Sequence, residues 1–355
     1  SRKGGLAHVD AGTLLTTVLL ESMRRAQLAK DDVDDVCVGN VLGGPTAAWR
    51  MAQLNAGVGG STVSVNRQCA SGLSAVAKIA DAIAAGTMKI GIGCGVESMT
   101  RTPMNKMEPP DVDWNYMTKE AMDCLTPMGV TSENVSKDYG LNRMDLDRFA
   151  VASHLKAAAA QKAGKFDAEI VPVAGVSQDD GIRPQTTFEI LANLKPVFDK
   201  DGLTTAGNSS QTTDGAAAVV LMTRKEAINR GLPILGVWRG FAVKSVPPRI
   251  MGIGPAVAIP AVLKQCELSV ADIDIFEINE AFASQATWCV EELKIPIDKV
   301  NPNGGAIALG HPIGMSGNRL ALTLLHELKR RGGGVGAAAL CGGGGQGDAL
   351  IVRTM

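Results

Sequence analysis

Four short stretches of this sequence carry residue types that can do covalent chemistry. Each sits beside a run of small or apolar residues: Cys69 in NRQCASGL, Asn279 with Glu280 in INEAFASQ, His311 in GGAIALGHPIGMSG and Cys341 in LCGGGGQG. A thiolate attacks a carbonyl carbon, an imidazole takes up the thiol proton, and backbone N–H groups in glycine-rich turns hold an oxyanion. Two cysteines and a histidine in one pocket would therefore suit acyl transfer.

Cys69 precedes a segment with the apolar spacing of a helix. Ser71 is a favourable N-cap residue, and the apolar positions that follow are Leu73, Val76, Ala77 and Ala80. The positive end of a helix dipole stabilises a thiolate, so this position favours a reactive cysteine. The alternative for an isolated cysteine is a small buried side chain that fills a turn.

Composition limits the function classes. The chain has 355 residues, 45% of them hydrophobic and 20% charged, with a formal net charge of -1. Neutral charge and 4% aromatic residues argue against nucleic acid as the main partner. Apolar stretches are interrupted before membrane-spanning length, so no membrane span is expected. Seven cysteines without a C-x-x-C pair indicate reduced thiols, and the four histidines lack zinc-ligand spacing, so no metal is predicted.

The sequence repeats itself in a coarse way. Three pairs of segments resemble each other in the same order and at nearly the same separation: 28–40 with 268–280, 69–83 with 315–328, and 90–98 with 334–345. Each set alternates apolar strands with helices, which predicts two pseudo-symmetric α/β halves with mostly parallel sheets covered by helices. The cysteine- and histidine-bearing loops follow equivalent strands, so we expect them to meet at one pocket.

The repeat also predicts domain boundaries. Residues 1–99 and 206–230 would form the N-terminal half, and residues 231–355 the C-terminal half. Residues 100–205, rich in Met, Pro and charge, would form an inserted loop or lid domain with a helix near 144–163.

Five motifs, in order, resemble the thiolase family: NRQCASGL, CGVESM, INEAFASQ, GGAIALGHPIGMSG and the Cys–Gly-rich turn near residue 341. They extend over essentially the whole chain, and MGVTSENV and VPPRIMGIGPA resemble the peroxisomal 3-ketoacyl-CoA group in particular. The resemblance implies a five-layered α/β/α/β/α fold, a homodimer or tetramer, and thiolysis of 3-ketoacyl-CoA by coenzyme A in fatty-acid β-oxidation. Coenzyme A would be a substrate, and no cofactor is implied. The implied location is peroxisomal, with the mitochondrial matrix and the bacterial cytoplasm as alternatives.

The resemblance also implies catalytic roles. Cys69 would be the nucleophile that becomes acylated, and His311 would accept its proton. Asn279 would hold a water beside His311 in one oxyanion site. The N–H groups of Cys69 and Gly343 would form the other, and Cys341 would be the second acid and base.

Substrate contacts are implied in the same way. Met128 and Met251 would line the acyl pocket, and Gly240 aligns with a serine that contacts coenzyme A in some relatives. Pro127 stands where acetoacetyl-specific relatives have His, which favours longer acyl chains. Two alternatives stay open: a biosynthetic acetoacetyl-CoA thiolase, and a non-catalytic acyl-CoA- or lipid-binding protein of the same fold. The family's first strand has no counterpart in the sequence, so we expect an exposed strand edge in the first half.

Overall fold

The computed structural model describes residues 4–106 and 110–354. Its helices are α1 Ala11–Arg25, α2 Thr46–Asn55, α3 Ser71–Ala84, α4 Lys119–Asp123, α5 Met128–Asp138, α6 Arg143–Lys162, α7 Phe188–Ala192, α8 Arg224–Asn229, α9 Gly254–Gln265, α10 Ala283–Glu292, α11 Ala306–Leu309 and α12 Ser316–Arg330. Its strands are β1 Asp35–Gly39, β2 Ser61–Val65, β3 Ile90–Ser98, β4 Asp214–Met222, β5 Val237–Ser245, β6 Ile275–Ile278, β7 Gly334–Gly342 and β8 Gln346–Thr354.

These strands form two four-stranded sheets, ordered β2-β1-β3-β4 and β5-β8-β7-β6. Strand β1 is parallel to β2 and β3, and β6 is parallel to β7, but β4, β5 and β8 pair antiparallel. The prediction of mostly parallel sheets is therefore confirmed for the first sheet, in which two of three pairings are parallel, and wrong for the second, in which two of three are antiparallel. The turn 343–345 between β7 and β8 is too short for the crossover that a parallel pair requires, so these strands must run in opposite directions.

The internal repeat corresponds to equivalent elements. Strands β1, β3 and β4 are neighbours in the first sheet in the same order as β6, β7 and β8 in the second. Helix α3 lies between β2 and β3 in the chain, and α12 precedes β7 in the same way. The two halves predicted from the sequence are thus confirmed as two copies of one arrangement.

The elements stack in five layers. Helix α1 packs on β4 and on α2, and α3 packs on β1 and β3. Helix α12 packs on β7 and directly on α3, while α9 covers β5 and β8 from the other side. The order is therefore helices, first sheet, α3 with α12, second sheet, helix, which confirms the predicted α/β/α/β/α core.

Two glycines let α3 and α12 approach each other closely. A Cβ on Gly72 would collide with the Asn318 side chain, and a Cβ on Gly317 would collide with the backbone of Leu73. The Ser-Gly pair at the start of each helix thus allows backbone contact across the central layer. This contact brings the two loops that precede the helices, which carry Cys69 and His311, to the same junction.

The outer edge of β4 is open. No strand among residues 4–106 and 110–354 pairs with it, whereas the equivalent edge of β8 pairs with β5. The edge lines a cavity of about 750 Å³ between α1, β4 and α12. An exposed strand edge was expected from the sequence and is found here; Ser1–Lys3 lie outside the described residues.

Between β3 and β4 the described chain forms helices α4 to α7. Helix α6 confirms the helix expected near 144–163, and its N-cap residue Asn142 accepts a hydrogen bond from Asp145 N at 3.0 Å. Its Ala150 packs in one cluster with Ala283 of α10 and Ile307 of α11. The limits of the inserted domain stay a prediction. In the described part of the chain, every helix is too short or too polar to cross a membrane.

Candidate active site

Cys69 lies in the turn between β2 and α3. The helix begins at Ser71 with Ala70 at the N-cap and no side-chain cap, so the prediction of Ser71 as N-cap is wrong. Ser71 Oγ instead accepts a hydrogen bond from Arg67 N at 2.9 Å and donates one to Gln68 O at 2.6 Å. These two bonds close the turn around Cys69.

The Cys69 side chain is 8% exposed and packs against Met99 and Ile313. Burial raises the pKa of its thiol to about 11, although the backbone N–H groups of Gly343 and of Cys69 itself oppose that rise. Desolvation therefore outweighs the local dipoles that favour a thiolate. The resting nucleophile is a thiol that needs a base.

His311 lies in the loop between α11 and α12 and has a partner on each ring nitrogen. Its Nδ1 is 2.6 Å from Ser316 Oγ, and its Nε2 is 3.3 Å from Asn279 Nδ2. Ser316 Oγ donates to Pro312 O at 3.1 Å, so it accepts the hydrogen on His311 Nδ1. Nε2 then carries the lone pair and accepts from Asn279. Burial lowers the His311 pKa to about 4, which leaves a neutral imidazole at pH 7.

Sequence reasoning missed Ser316. In the sequence it stands only within the repeated segment 315–328, with no role predicted for it. Its position five residues after His311, in the same glycine-rich loop, was the available signal. Its hydrogen bond with His311 Nδ1 determines which nitrogen of His311 accepts a proton.

Asn279 directly follows β6, and its backbone N donates to Ala339 O on β7 at 2.9 Å. Its side-chain Oδ1 is buried and has no hydrogen-bond partner within the described residues. A buried unpaired oxygen beside His311 fits a position that receives a water or a ligand donor. The adjacent Glu280 is buried and accepts from Ser153 Oγ at 2.6 Å and Asn301 Nδ2 at 2.8 Å, which fixes the loop.

Cys341 lies near the end of β7 and is fully buried. Burial raises the pKa of its thiol well above the usual value, and nearby Cys69 adds to the rise. It packs in one cluster with Met251 and Phe282, and Met128 lies against the same cluster. The structure thus brings both methionines predicted for the acyl pocket next to Cys341.

The remaining predicted contact lies elsewhere. Gly240 is in the middle of β5, where a Cβ would collide with Cys266 Sγ and approach Val262 of α9. The described contacts join it to α9 and its C-cap residue Cys266, and not to Cys69, Cys341 or His311. Its assignment to coenzyme A stays a prediction.

Five predicted residues therefore meet at the junction of the two halves: Cys69, Asn279, His311, Cys341 and Gly343. The arrangement offers a nucleophile, a neutral base with one fixed lone pair, a second thiol, and two N–H groups directed at one point. That combination can acylate a thiol and stabilise charge on two different oxygens.

We expect the Cys69 thiol to titrate far above neutral pH in the free protein. The rate of its alkylation by iodoacetamide should rise about tenfold per pH unit from pH 7 to pH 9 without a plateau, because only the thiolate reacts. Peptide mass spectrometry of quenched samples measures this rate, with the exposed Cys124 as internal reference. A plateau below pH 8 would contradict the desolvation argument.

The family model for the N-terminal domain of thiolase matches residues 1–225, and the model for the thiolase C-terminal domain matches residues 232–354. The chain belongs to the thiolase family. The peroxisomal 3-ketoacyl-CoA thiolase of Homo sapiens is 50% identical over 98% of this chain and 86% of its own length. The peroxisomal 3-ketoacyl-CoA thiolase 2 of Arabidopsis thaliana is 49% identical over 99% of this chain and 80% of its own length.

Solved thiolases show the same fold. The dimeric peroxisomal thiolase of Saccharomyces cerevisiae superposes with a TM-score of 0.95 at 42% identity, covering 99% of this chain and 93% of its own. Human mitochondrial 3-ketoacyl-CoA thiolase in complex with CoA gives a TM-score of 0.92 at 34% identity, covering 100% and 95%. The thiolase resemblance read from five motifs is therefore confirmed over the full chain.

Proposed function

We propose that this thiolase is a peroxisomal 3-ketoacyl-CoA thiolase that cleaves 3-ketoacyl-CoA with coenzyme A in fatty-acid β-oxidation. The observation that carries the proposal is that Cys69 lies beside Cys341 and the Gly343 N–H group, while the hydrogen-bonded His311–Asn279 pair lies in the two loops that pack against these cysteines. Near 50% identity to peroxisomal thiolases over almost the whole chain supports the substrate class and the location.

In the first half-reaction, Cys69 Sγ attacks the C3 carbonyl carbon and its proton passes to His311 Nε2. The N–H groups of Cys69 and Gly343 stabilise the oxyanion that forms on the C3 oxygen. The C2–C3 bond then breaks, and its electron pair leaves with the acetyl-CoA enolate. The Cys341 thiol protonates C2, which releases acetyl-CoA and leaves an acyl thioester on Cys69.

In the second half-reaction, the Cys341 thiolate takes the proton of incoming coenzyme A. The coenzyme A sulfur attacks the acyl carbonyl, and the same two N–H groups stabilise the new oxyanion. Cys69 leaves and recovers its proton from His311, so the free enzyme is restored. The thioester oxygen of the substrate would face Asn279 and His311, where a water held by Asn279 supplies a second donor for the enolate.

The raised thiol pKa values fit this scheme. Cys69 and Cys341 are both neutral at rest, and His311 is neutral, with the lone pair on Nε2 held only by the 3.3 Å contact with Asn279 Nδ2. Each proton therefore moves only when a substrate carbonyl is in place, which protects the thiols from reaction in the absence of substrate.

Two further properties belong to the proposal. The chain forms a homodimer, by likeness to the dimeric yeast enzyme. Met128 and Met251 form the wall against which the acyl chain lies, because flexible apolar side chains adapt to chains of different length.

Intact-protein mass spectrometry tests the proposal. Mixing the protein with a long-chain 3-ketoacyl-CoA and no free coenzyme A should add an acyl group shortened by two carbons, mapped to Cys69 and cleared by added coenzyme A. An adduct from acetyl-CoA together with none from the long-chain 3-ketoacyl-CoA would instead support the biosynthetic acetoacetyl-CoA thiolase. Binding without any adduct would support a non-catalytic acyl-CoA-binding protein.

A further inference from the structure

An ion pair joins the two halves at the turn that carries Cys69. Arg67, in the turn that carries Cys69, places Nη1 3.3 Å from Asp348 Oδ2 on β8. The same nitrogen donates to Ser74 Oγ at 2.9 Å, and Ser74 Oγ donates to Asp348 Oδ2 at 2.6 Å. One carboxylate oxygen thus connects the turn and the first turns of α3 to the second sheet.

This ion pair is buried at its acidic end. The Asp348 side chain is 0% exposed, whereas that of Arg67 is 28% exposed. The second carboxylate oxygen, Oδ1, is buried without a hydrogen-bond partner in the described chain. Burying a carboxylate with one unsatisfied oxygen is costly, and such a pair is a poor source of stability. The presence of this ion pair at the junction therefore needs an explanation other than its contribution to stability.

The pair lies at the two elements that carry the reacting thiols. Asp348 is opposite Leu340 in the β7–β8 register, and its neighbour Gly347 is opposite Cys341. Arg67 is two residues before Cys69, and a Cβ on Gly342 would come within 3.2 Å of Arg67 O. The cysteine turn therefore rests on the start of the 343–345 turn, where Gly343 donates its N–H to Cys69.

We propose that Asp348 is a positioning residue which, through Arg67 and Ser74, holds the Cys69 turn in register with Cys341 and the Gly343 N–H. Asp348 touches no reacting atom. Its effect is to keep Cys69 and the Gly343 N–H group, which belong to different halves, at a fixed separation. Small losses of alignment at a reacting centre lower rates steeply, while substrate binding is little affected. The inference rests on the proposed function for its kinetic consequence.

Asp348→Asn keeps the size of the side chain and an acceptor for Ser74 but removes the charge that Arg67 meets. We expect kcat and the rate of Cys69 acylation to fall at least tenfold, with KM changed less than threefold. Hydrogen–deuterium exchange of peptides covering residues 66–72 should quicken several-fold. That exchange needs no substrate, so it tests the positioning role even if the proposed reaction is wrong.

The double variant Arg67→Met with Asp348→Asn separates positioning from stability. It leaves no unpaired charge in the interior, so its melting temperature should return towards that of the wild type. Acylation should stay at least tenfold slow. Recovery of acylation together with the melting temperature would overturn the proposal, as would unchanged exchange of residues 66–72 in Asp348→Asn.

A second Arg–Asp ion pair, in the first half, provides a control. Arg230 and Asp32 form a bidentate pair between α8 and the turn before β1, with 29% and 23% exposed side chains. The variants Asp32→Asn and Arg230→Met with Asp32→Asn remove the same charges from elements that carry no predicted site residue. They should leave acylation within twofold of the wild type. If these control variants slowed acylation as much as Asp348→Asn does, the slowing would reflect general destabilisation of the fold and the positioning role would be wrong.

Discussion

Replacing Cys69 with alanine is expected to lower kcat for thiolysis by at least about 10⁴-fold, because the acyl chain loses its covalent carrier. The fold should persist, since the change removes one sulfur atom from a packed turn. Steady-state rates with a long-chain 3-ketoacyl-CoA and intact-protein mass measure the two consequences, loss of turnover and loss of the acyl adduct.

The matched control is Cys94→Ala. Cys94 is also buried, on β3 within the first core, where its Sγ donates to Cys37 O at 3.5 Å. It should keep kcat within a few-fold of the wild type and still form the adduct. Retention of more than about a hundredth of wild-type kcat by Cys69→Ala would show that another group carries the acyl chain.

Replacing Cys341 with alanine should separate the two kinds of chemistry at this site. Carbon–carbon cleavage should fall by about 10³-fold or more, because the enolate loses its proton donor. Acylation of Cys69 by a saturated acyl-CoA releases the coenzyme A thiolate and no carbanion; a thiolate is a far more stable leaving group, so that adduct should still appear, although more slowly than in the wild type. Mass spectrometry with a 3-ketoacyl-CoA and with the matching saturated acyl-CoA, used side by side, measures both.

Cys289→Ala is the control for this result. Cys289 is equally buried, on α10, and its Sγ donates to Gly252 O at 3.6 Å. It should behave like the wild type with both substrates. If Cys341→Ala lost the adduct with both substrates, Cys341 would be required for forming the Cys69 thioester and not specifically for protonating C2.

Much of this site could be read from the sequence. Cys69, Asn279, His311 and Cys341 stand in short motifs next to strand ends or helix starts, and the repeat places those ends at one junction. The five layers were implied by the family resemblance that these motifs carry. The motifs and the repeat are local patterns, so they are visible without coordinates.

Other features depend on which distant groups meet. Ser316 fixes the His311 tautomer through a loop closure that spacing does not reveal, and Arg67 meets Asp348 across the two halves. The raised thiol pKa of Cys69 is of the same kind, because a helix start is visible in a sequence and the burial of one atom is not. The antiparallel pairing of β5 with β8 joins strands that are far apart in the chain.

The close contact between α3 and α12 has a consequence for when this protein becomes reactive. Synthesis delivers Cys69 early, whereas His311, Cys341 and Gly343 come from the last part of the chain. In a growing polypeptide the Cys69 thiol therefore lacks its predicted partners, which come to lie around it only when the second half docks. Long-range docking of this kind is a slow step in folding. The proposed site can thus form only after residues 311–343 have been synthesised and have docked.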